Sequence, residues 1–114
     1  LNSTDGYSLK MGDVDRPKFT DISATSKYGV YFNNVTNAEI VGKTGFKKLV
    51  STGGDALYFA GKSDEVTIKN VMLKAPNGNG FVFEGTDNNF TIENNYFLDV
   101  GENGIYFKGN ANKA

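Results

Sequence analysis

Apolar and polar residues alternate along this chain in short stretches, and one stretch is repeated four times. Each copy reads small residue, apolar residue, Tyr or Val, and Phe, and the copies span 29–32, 56–59, 80–83 and 104–107. Their first residues lie 27, 24 and 24 positions apart. A period of roughly 20 to 50 residues is typical of solenoids, whose units bury their apolar faces only by stacking on one another.

The alternation within a copy predicts a strand, because successive side chains of a strand point to opposite faces. A second short strand is predicted about ten residues into each unit, at 66–70 and 90–94, with 38–42 as a weaker version. A third follows at 71–73, 95–98 and, after a longer loop, 46–49. Three short strands per unit predict a coil.

Equivalent strands of successive coils are then expected to lie parallel and in register, about 4.8 Å apart. This arrangement predicts two internal ladders, one of Phe32, Phe59, Phe83 and Phe107 and one of Val30, Leu57, Phe81 and Ile105. Asn70 and Asn94 are predicted to stack at one bend, with Gly42 interrupting their column. The expected fold is all-β: a parallel β-helix of about four to five coils.

The chain divides into two parts in this interpretation. Residues 1–27 form an N-terminal partial coil or cap, in which 6–9 is a candidate earlier copy and 13–17 an additional loop, and residues 28–114 form the regular coils. An uncovered solenoid end exposes core residues and unpaired strand edges. We therefore expect a fragment, or a domain capped by other elements.

The repeated motif resembles that of a known architecture. An apolar-x-Asn sequence, then an apolar residue three positions later, then Gly104-Ile105-Tyr106-Phe107 with Gly109 two residues on, is similar to the repeat of right-handed parallel β-helices. The resemblance covers about residues 28 to 109. It implies membership of the pectate-lyase-like superfamily of polysaccharide lyases, hydrolases, epimerases and phage tailspikes, a fold whose members differ widely in function.

Composition excludes several classes of function. The 12 Lys and Arg are balanced by 13 Asp and Glu, which leaves no dense basic face for nucleic acid. There is no apolar run near 18 residues, so we expect no membrane partner. The chain has no Cys and no His, which excludes His-based triads and His or Cys metal sites.

An outward aromatic column is the first candidate site. Tyr31, Tyr58, Val82 and Tyr106 occupy the outward position of the repeated strand, and Ser8 is a candidate for the level below. Such a row of rings could stack on sugar faces or pack against another subunit. Tyr is also a good strand former, so cross-strand contacts alone explain the column, and that interpretation is preferred.

A column of Asp and Asn is the second candidate site. Asp55, Asn79 and Asn103 immediately precede the repeated strand, with Asp5 as a candidate for the same line. In relatives of this fold, carboxylates near this strand bind Ca²⁺ or act as acid and base, and these oxygen ligands suit Ca²⁺. Asn and Asp also favour turns for backbone reasons, and that interpretation is preferred. We otherwise expect no cofactor.

Two charged clusters complete the inventory. Two carboxylates and the chain's one Arg stand close together at Asp13, Asp15 and Arg16. Three lysines cluster at Lys43, Lys47 and Lys48. The first is interpreted as a solvated loop rather than a metal site, and the second as a charged surface rather than a lyase base.

Two functions follow as expectations. The first is carbohydrate recognition or polysaccharide processing by an extracellular or periplasmic domain, with Tyr31, Tyr58, Tyr106, Asp55, Asn79 and Asn103 binding the polymer. The second is a structural or adhesion module, such as a segment of a phage fibre, that trimerises or contacts further coils end to end. Turns this short argue against catalysis by this chain alone; a catalytic version would be a polysaccharide lyase or a glycoside hydrolase.

Overall fold

The structure is a computed structural model that describes residues 6–45, 47–85 and 89–108. Within these ranges the chain forms thirteen strands and no helix. The strands are β1 (Tyr7–Gly12), β2 (Lys18–Thr20), β3 (Ala24–Ser26), β4 (Gly29–Asn33), β5 (Glu39–Val41), β6 (Lys47–Ser51), β7 (Leu57–Ala60), β8 (Val66–Lys69), β9 (Val71–Ala75), β10 (Phe81–Phe83), β11 (Phe90–Glu93), β12 (Tyr96–Val100) and β13 (Ile105–Phe107).

Every third strand joins the same sheet. The first sheet has the order β1-β4-β7-β10-β13, the second β2-β5-β8-β11, and the third β3-β6-β9-β12. All of the described strand pairs are parallel. Three consecutive strands therefore make one coil, and the chain is a parallel β-solenoid of about four coils with β13 opening a fifth. The predicted fold is confirmed.

Both predicted ladders fill the interior. The rings of Phe32 and Phe59 lie 5.1 Å apart, those of Phe59 and Phe83 5.2 Å, and those of Phe83 and Phe107 5.2 Å. The first three side chains are fully buried. Burying a Phe side chain contributes about 1.5–3 kcal/mol, and each aromatic pair about 0.5–1.5 kcal/mol more. The ladder therefore ties each coil to the next.

The bend between the second and third sheets is held by stacked side chains, as predicted. Asn70 and Asn94 adopt left-handed backbone conformations, with φ of 58° and 55°. Asn94 Nδ2 donates to Asn70 Oδ1 at 2.7 Å, and Asn70 Nδ2 donates to the carbonyl of Gly42 at 3.0 Å. A Cβ at Gly42 would lie 2.4 Å from the Asn70 carbonyl oxygen. Only glycine fits beneath this pair.

The segment 13–17 is a regular turn rather than an additional loop. Asp13 and Arg16 have φ of 55° and 62°, and the equivalent residues of the next coil, Asn34 and Asn37, have 55° and 54°. A parallel bridge joins Asp15 to Thr36, and a second joins Thr36 to Asp64. The first coil thus turns like the later ones, and polar side chains at left-handed positions make the turn.

The register of the first strand differs from the expectation. Leu9, Lys10 and Met11 pair with Val30, Tyr31 and Phe32, and the register shifts between Tyr7 and Leu9. The earlier copy of the repeated stretch is therefore Leu9 to Met11 and not 6–9. The irregularity arises because the chain has one residue more before Leu9 than the parallel register can pair.

The last described strand leaves the interior open. Phe107 and Ile105 are 37% and 38% exposed, although their ladder neighbours in the previous coil are fully buried. Phe97 and Leu98 of β12 are exposed at the same end. No helix in the described ranges is long and apolar enough to cross a membrane.

Candidate functional site

The outward column forms on the first sheet as predicted, with one correction. Tyr31 pairs with Tyr58, and Val82 lies between Tyr58 and Tyr106 but is fully buried, unlike the tyrosines of the column. The level below Tyr31 is occupied by Lys10 and not by Ser8. The shift in register before Leu9 turns Ser8 inward, where it is buried and its hydroxyl donates to Ser26 Oγ at 2.6 Å.

Val82 divides this column into two unequal parts. The rings of Tyr31 and Tyr58 are stacked at 5.4 Å with an interplanar angle of 18°. Tyr106 lies two levels beyond Tyr58, about 10 Å along the solenoid axis, which is too far for direct ring contact. The structure therefore groups two of the three predicted tyrosines and leaves Tyr106 separate.

Two tyrosines that the sequence interpretation missed complete the group. The Tyr7 ring lies 5.3 Å from that of Tyr28 at 44°, and 5.9 Å from that of Tyr31 at 65°. Tyr28 takes the position, one residue before the repeated stretch, that Asp55 holds in the next coil. Aligning the copies one residue further upstream would have revealed it.

These side chains line a surface cavity of about 250 Å³. Its walls are Tyr7, Tyr28, Tyr31, Tyr58, Gly54 and Asp55, which we call the tyrosine pocket. A second cavity of about 240 Å³ adjoins it and shares Tyr31. The second cavity is lined by Lys10, Met11, Gly12, Tyr31 and Asn33.

Lysine side chains lie against three of the outer rings. Lys10 Nζ is 4.9 Å from the ring centre of Tyr7, and Lys27 Nζ is 5.1 Å from that of Tyr28. These distances are within the range of a cation–π interaction. The tyrosine pocket is thus bordered by cations on its first-coil side and contains one carboxylate, that of Asp55.

The Tyr58 hydroxyl joins three coils. It donates to the carboxylate of Glu84 and accepts a hydrogen bond of 3.1 Å from Lys108 Nζ, which also lies 5.2 Å from the Tyr58 ring centre. Burial and the bond to Glu84 raise the pKa of Tyr58, and the bond to Tyr58 raises the pKa of Lys108. Tyr58 is therefore a proton-bearing donor and a poor base. Glu84 and Lys108 occupy the position just after the repeated stretch.

The Asp and Asn column forms and has a structural role. Asp55 Oδ1 accepts from the backbone N–H of Asn79 at 2.7 Å and from Asn79 Nδ2 at 3.0 Å. Asn79 Oδ1 accepts from the backbone N–H of Asn103 at 2.9 Å. The turn interpretation thus has direct support, and ligand binding by this column stays a prediction. Asp5 lies outside the described residues.

The column does not fit a calcium ion. Ca²⁺ takes six to eight oxygen ligands, several of them carboxylates. Here the inner oxygens already accept hydrogen bonds from the next coil, and Asp55 supplies the one carboxylate. Within the described part of the chain, no three His, Cys, Asp or Glu side chains are grouped so that they could hold a metal ion.

The Asp13 to Arg16 segment likewise uses its carboxylates for structure. Asp15 Oδ1 accepts from Thr36 Oγ1 at 2.7 Å and from Asn37 Nδ2 at 2.8 Å. These bonds, that of Asn37 foremost, lower the pKa of Asp15. Arg16 Nε lies 3.4 Å from Asp15 Oδ2 on the surface. The segment is thus an exposed turn whose carboxylate binds the turn of the next coil.

Comparison of this chain with protein-family models, with curated protein sequences and with solved structures finds no match. The fold defines the class: an all-parallel β-solenoid. Assignment to the pectate-lyase-like superfamily, and every function drawn from it, is a proposal.

Proposed function

We propose that this chain is a carbohydrate-recognition module that binds a polysaccharide across the tyrosine pocket on the first sheet. The observation on which this rests is the convergence of four tyrosines from three coils around one cavity. Apolar ring surface with a few fixed polar groups is the general composition of a small-molecule site. Sugars present both kinds of surface, because C–H faces alternate with hydroxyl edges around the ring.

The shape of the cavity favours one sugar unit. Its volume of about 250 Å³ is smaller than the ~300–1,000 Å³ typical of drug-sized ligands. Tyr31 and Tyr58 stack face to face, so their mutual faces are occupied and they offer edges and hydroxyl groups. The Tyr7 ring is edge-on to Tyr31 and tilted against Tyr28, and both Tyr7 and Tyr28 line the cavity.

The adjoining cavity favours a polymer over a single sugar. Both cavities share Tyr31, so a ligand chain that fills the tyrosine pocket can continue past Tyr31 towards Lys10 and Asn33. This path runs along β1 and β4 towards their ends, so it crosses the predicted column at Tyr31 and does not follow it. The proposal keeps the predicted face, with Tyr31 and Tyr58, and places the site on the first three coils without Tyr106.

Binding without catalysis is the version that the pocket supports. Glycoside hydrolysis generally uses two carboxyl groups that flank the scissile bond. The described lining of the tyrosine pocket contains one, that of Asp55. The raised pKa of Tyr58 also makes it unsuited to removing a proton in a lyase reaction. An extracellular or periplasmic location is part of the same proposal.

A glycan array on the purified chain identifies a ligand, and titration calorimetry then measures its affinity for variants. Tyr28→Ala is the sharpest test, because Tyr28 is 37% exposed and lines the cavity. Loss of one aromatic contact, about 1 kcal/mol, weakens binding about fivefold. Tyr96→Ala is the matched control, since Tyr96 is an exposed tyrosine of the third sheet. Tyr58→Ala is less informative because it also breaks the bonds to Glu84 and Lys108.

Two results would reject this function. One is the absence of binding to any glycan on an array that includes neutral and acidic polymers. The other is a bound glycan whose affinity is the same for the wild type, Tyr28→Ala and Tyr31→Ala.

A structural module is the second candidate, and the open end of the solenoid favours it. Ile105, Phe107 and Phe97 are between 37% and 39% exposed there, and their partners one coil earlier, Phe81, Phe83 and Leu73, are fully buried. Leu98 is 50% exposed at the same end. Contact with further coils, end to end, would cover them, whereas a side-by-side trimer would not. Size-exclusion chromatography with light scattering tests this: assembly that increases with concentration supports it, and a monomer at every concentration rejects self-association.

A further inference from the structure

Three Asn-Gly pairs lie in the turns that connect the third sheet to the first. They are Asn77-Gly78, Asn79-Gly80 and Asn103-Gly104. An asparagine before glycine is chemically vulnerable, because glycine has no side chain to keep its backbone nitrogen away from the asparagine Cγ. Whether a given pair reacts depends on how freely these two atoms can approach. The structure places the three pairs in different environments.

In Asn79-Gly80, the asparagine side chain and the glycine N–H are both hydrogen-bonded. Asn79 is 6% exposed, its Nδ2 donates to Asp55 Oδ1, and its Oδ1 accepts from the Asn103 backbone. The Gly80 backbone N–H donates to the Asn103 carbonyl at 3.0 Å. Attack of the Gly80 nitrogen on Asn79 Cγ would require all of these bonds to open, so the fold protects this pair.

Asn77-Gly78 is exposed but also held. Asn77 Nδ2 donates to the Thr52 carbonyl at 2.8 Å, and the Gly78 backbone N–H donates to the Ala75 carbonyl at 3.1 Å. Gly78 is buried, and its α-carbon packs so closely that a Cβ there would lie 2.5 Å from Gly54. Both reacting groups are therefore fixed in place.

Asn103-Gly104 lacks these restraints. Asn103 is exposed, and within the described residues neither its side chain nor the Gly104 backbone N–H makes a hydrogen bond. The difference arises from the position of each pair in the solenoid. The Gly80 N–H donates to the Asn103 carbonyl of the following coil, and no described residue follows Gly104 in the same way. The same dipeptide is hydrogen-bonded where a described coil follows it, and lacks these bonds in the last described coil.

We propose that Asn103 is the site of spontaneous deamidation in this chain, because no described residue bonds its side chain or the Gly104 N–H. The Gly104 nitrogen bonds to Asn103 Cγ, the Cγ–Nδ2 bond breaks, and ammonia leaves with the proton released from Gly104. Water then opens the resulting succinimide at one of its two carbonyls, which gives aspartate or isoaspartate without any change in oxidation state. Isoaspartate adds a main-chain carbon and displaces the N–H that Asn103 donates to Asn79.

The test is incubation of the folded chain at mildly alkaline pH, with peptide mapping by mass spectrometry at successive times. Because at least two hydrogen bonds must open at each interior pair, Asn103 should convert at least about tenfold faster than Asn77 or Asn79. In the urea-unfolded chain the three pairs should convert at similar rates. An isoaspartyl methyltransferase that labels isoaspartate provides an independent readout.

Gly104→Ala is the matched control. A Cβ at Gly104 meets Phe97 Cε2 at 3.5 Å, an ordinary contact, so this variant should retain the wild-type urea midpoint and lose at least about tenfold in the rate at Asn103. The proposal fails if Asn77 or Asn79 reacts as fast as Asn103 in the folded chain. It also fails if Asn103 is stable when folded but reacts when unfolded. The comparison within the wild type decides the matter even if Gly104→Ala does not fold.

Discussion

Replacing a Phe of the stacked ladder by Ala should lower the free energy of unfolding by very different amounts in different coils. Phe59 is fully buried and contacts a ring on each side, Phe32 at 5.1 Å and Phe83 at 5.2 Å. Phe107 belongs to the same column but is 37% exposed, and among the described residues Phe83 is its one ladder neighbour. Phe59→Ala should therefore be far more destabilising than Phe107→Ala.

The expected difference follows from burial. Removing a fully buried Phe costs about 3–5 kcal/mol, which includes the cavity that is left. At Phe107 roughly two thirds of the residue is covered, the cavity is open to solvent, and one contact within the ladder is lost instead of two. About 1–2 kcal/mol is expected there. Against a total stability of about 5–15 kcal/mol, both variants remain measurable.

Urea unfolding, followed by circular dichroism and by tyrosine fluorescence, measures both variants. With a slope of about 1–3 kcal/mol/M, Phe59→Ala should lower the midpoint by about 2 M and Phe107→Ala by less than about 1 M. Phe59→Leu keeps most of the apolar volume and serves where Phe59→Ala does not accumulate in a folded form. Equal losses at the two positions, or a loss below about 1 kcal/mol at Phe59, would refute the ladder argument.

Three further outcomes are expected. Hydrogen bonds from the backbone N–H groups of Thr44 and Lys43 lower the pKa of Asp21 below its ordinary value of 3.8. The stability that the ionised Asp21 contributes is therefore complete above about pH 3.8 and is lost as the pH falls through the lowered pKa. In thermal melts from about pH 6 to about pH 2, Asp21→Asn should make the melting temperature fall less steeply with pH. Gly29→Ala should destabilise the chain by more than 1 kcal/mol in urea titrations, because φ is +75° and the new Cβ would lie 2.4 Å from the Ala56 carbonyl oxygen. In an alkaline absorbance titration, one of the six tyrosines should ionise above the ordinary pKa of 10.0, and Tyr58→Phe should remove that step; an unchanged titration curve in the variant would contradict the assignment.

Much of the candidate site could be predicted from the repeat. Position three of the repeated stretch had to point outward once positions two and four pointed inward, so the Tyr31, Tyr58 and Tyr106 column followed directly. The stacking of Asp55, Asn79 and Asn103 followed from the same period. These predictions depend on local alternation and a fixed interval, both of which are visible in one sequence.

The rest of the site depends on details that no interval reveals. Tyr7 joins the pocket because of a shift in register before Leu9, and Tyr28 joins because it replaces Asp55 at its level. The Glu84, Tyr58 and Lys108 network joins side chains 26 and 50 positions apart. A long flexible side chain can reach several hydrogen-bond partners, and the packing of its neighbours decides which of them it contacts.

The sequence by itself determined that this chain is a parallel β-solenoid, that Phe and aliphatic ladders fill it, and that Asn70 and Asn94 stack at a bend. Each of these follows from a local pattern that recurs at a nearly constant interval. Only the tertiary structure decided that four tyrosines converge on one pocket and that Val82 separates Tyr106 from them. It also decided that, of the three Asn-Gly pairs, Asn103-Gly104 lacks the hydrogen bonds of the other two among the described residues. The physical reason is that the contacts of each side chain depend on which residue the adjacent coil places next to it, and the repeat interval alone does not give that residue's identity or conformation.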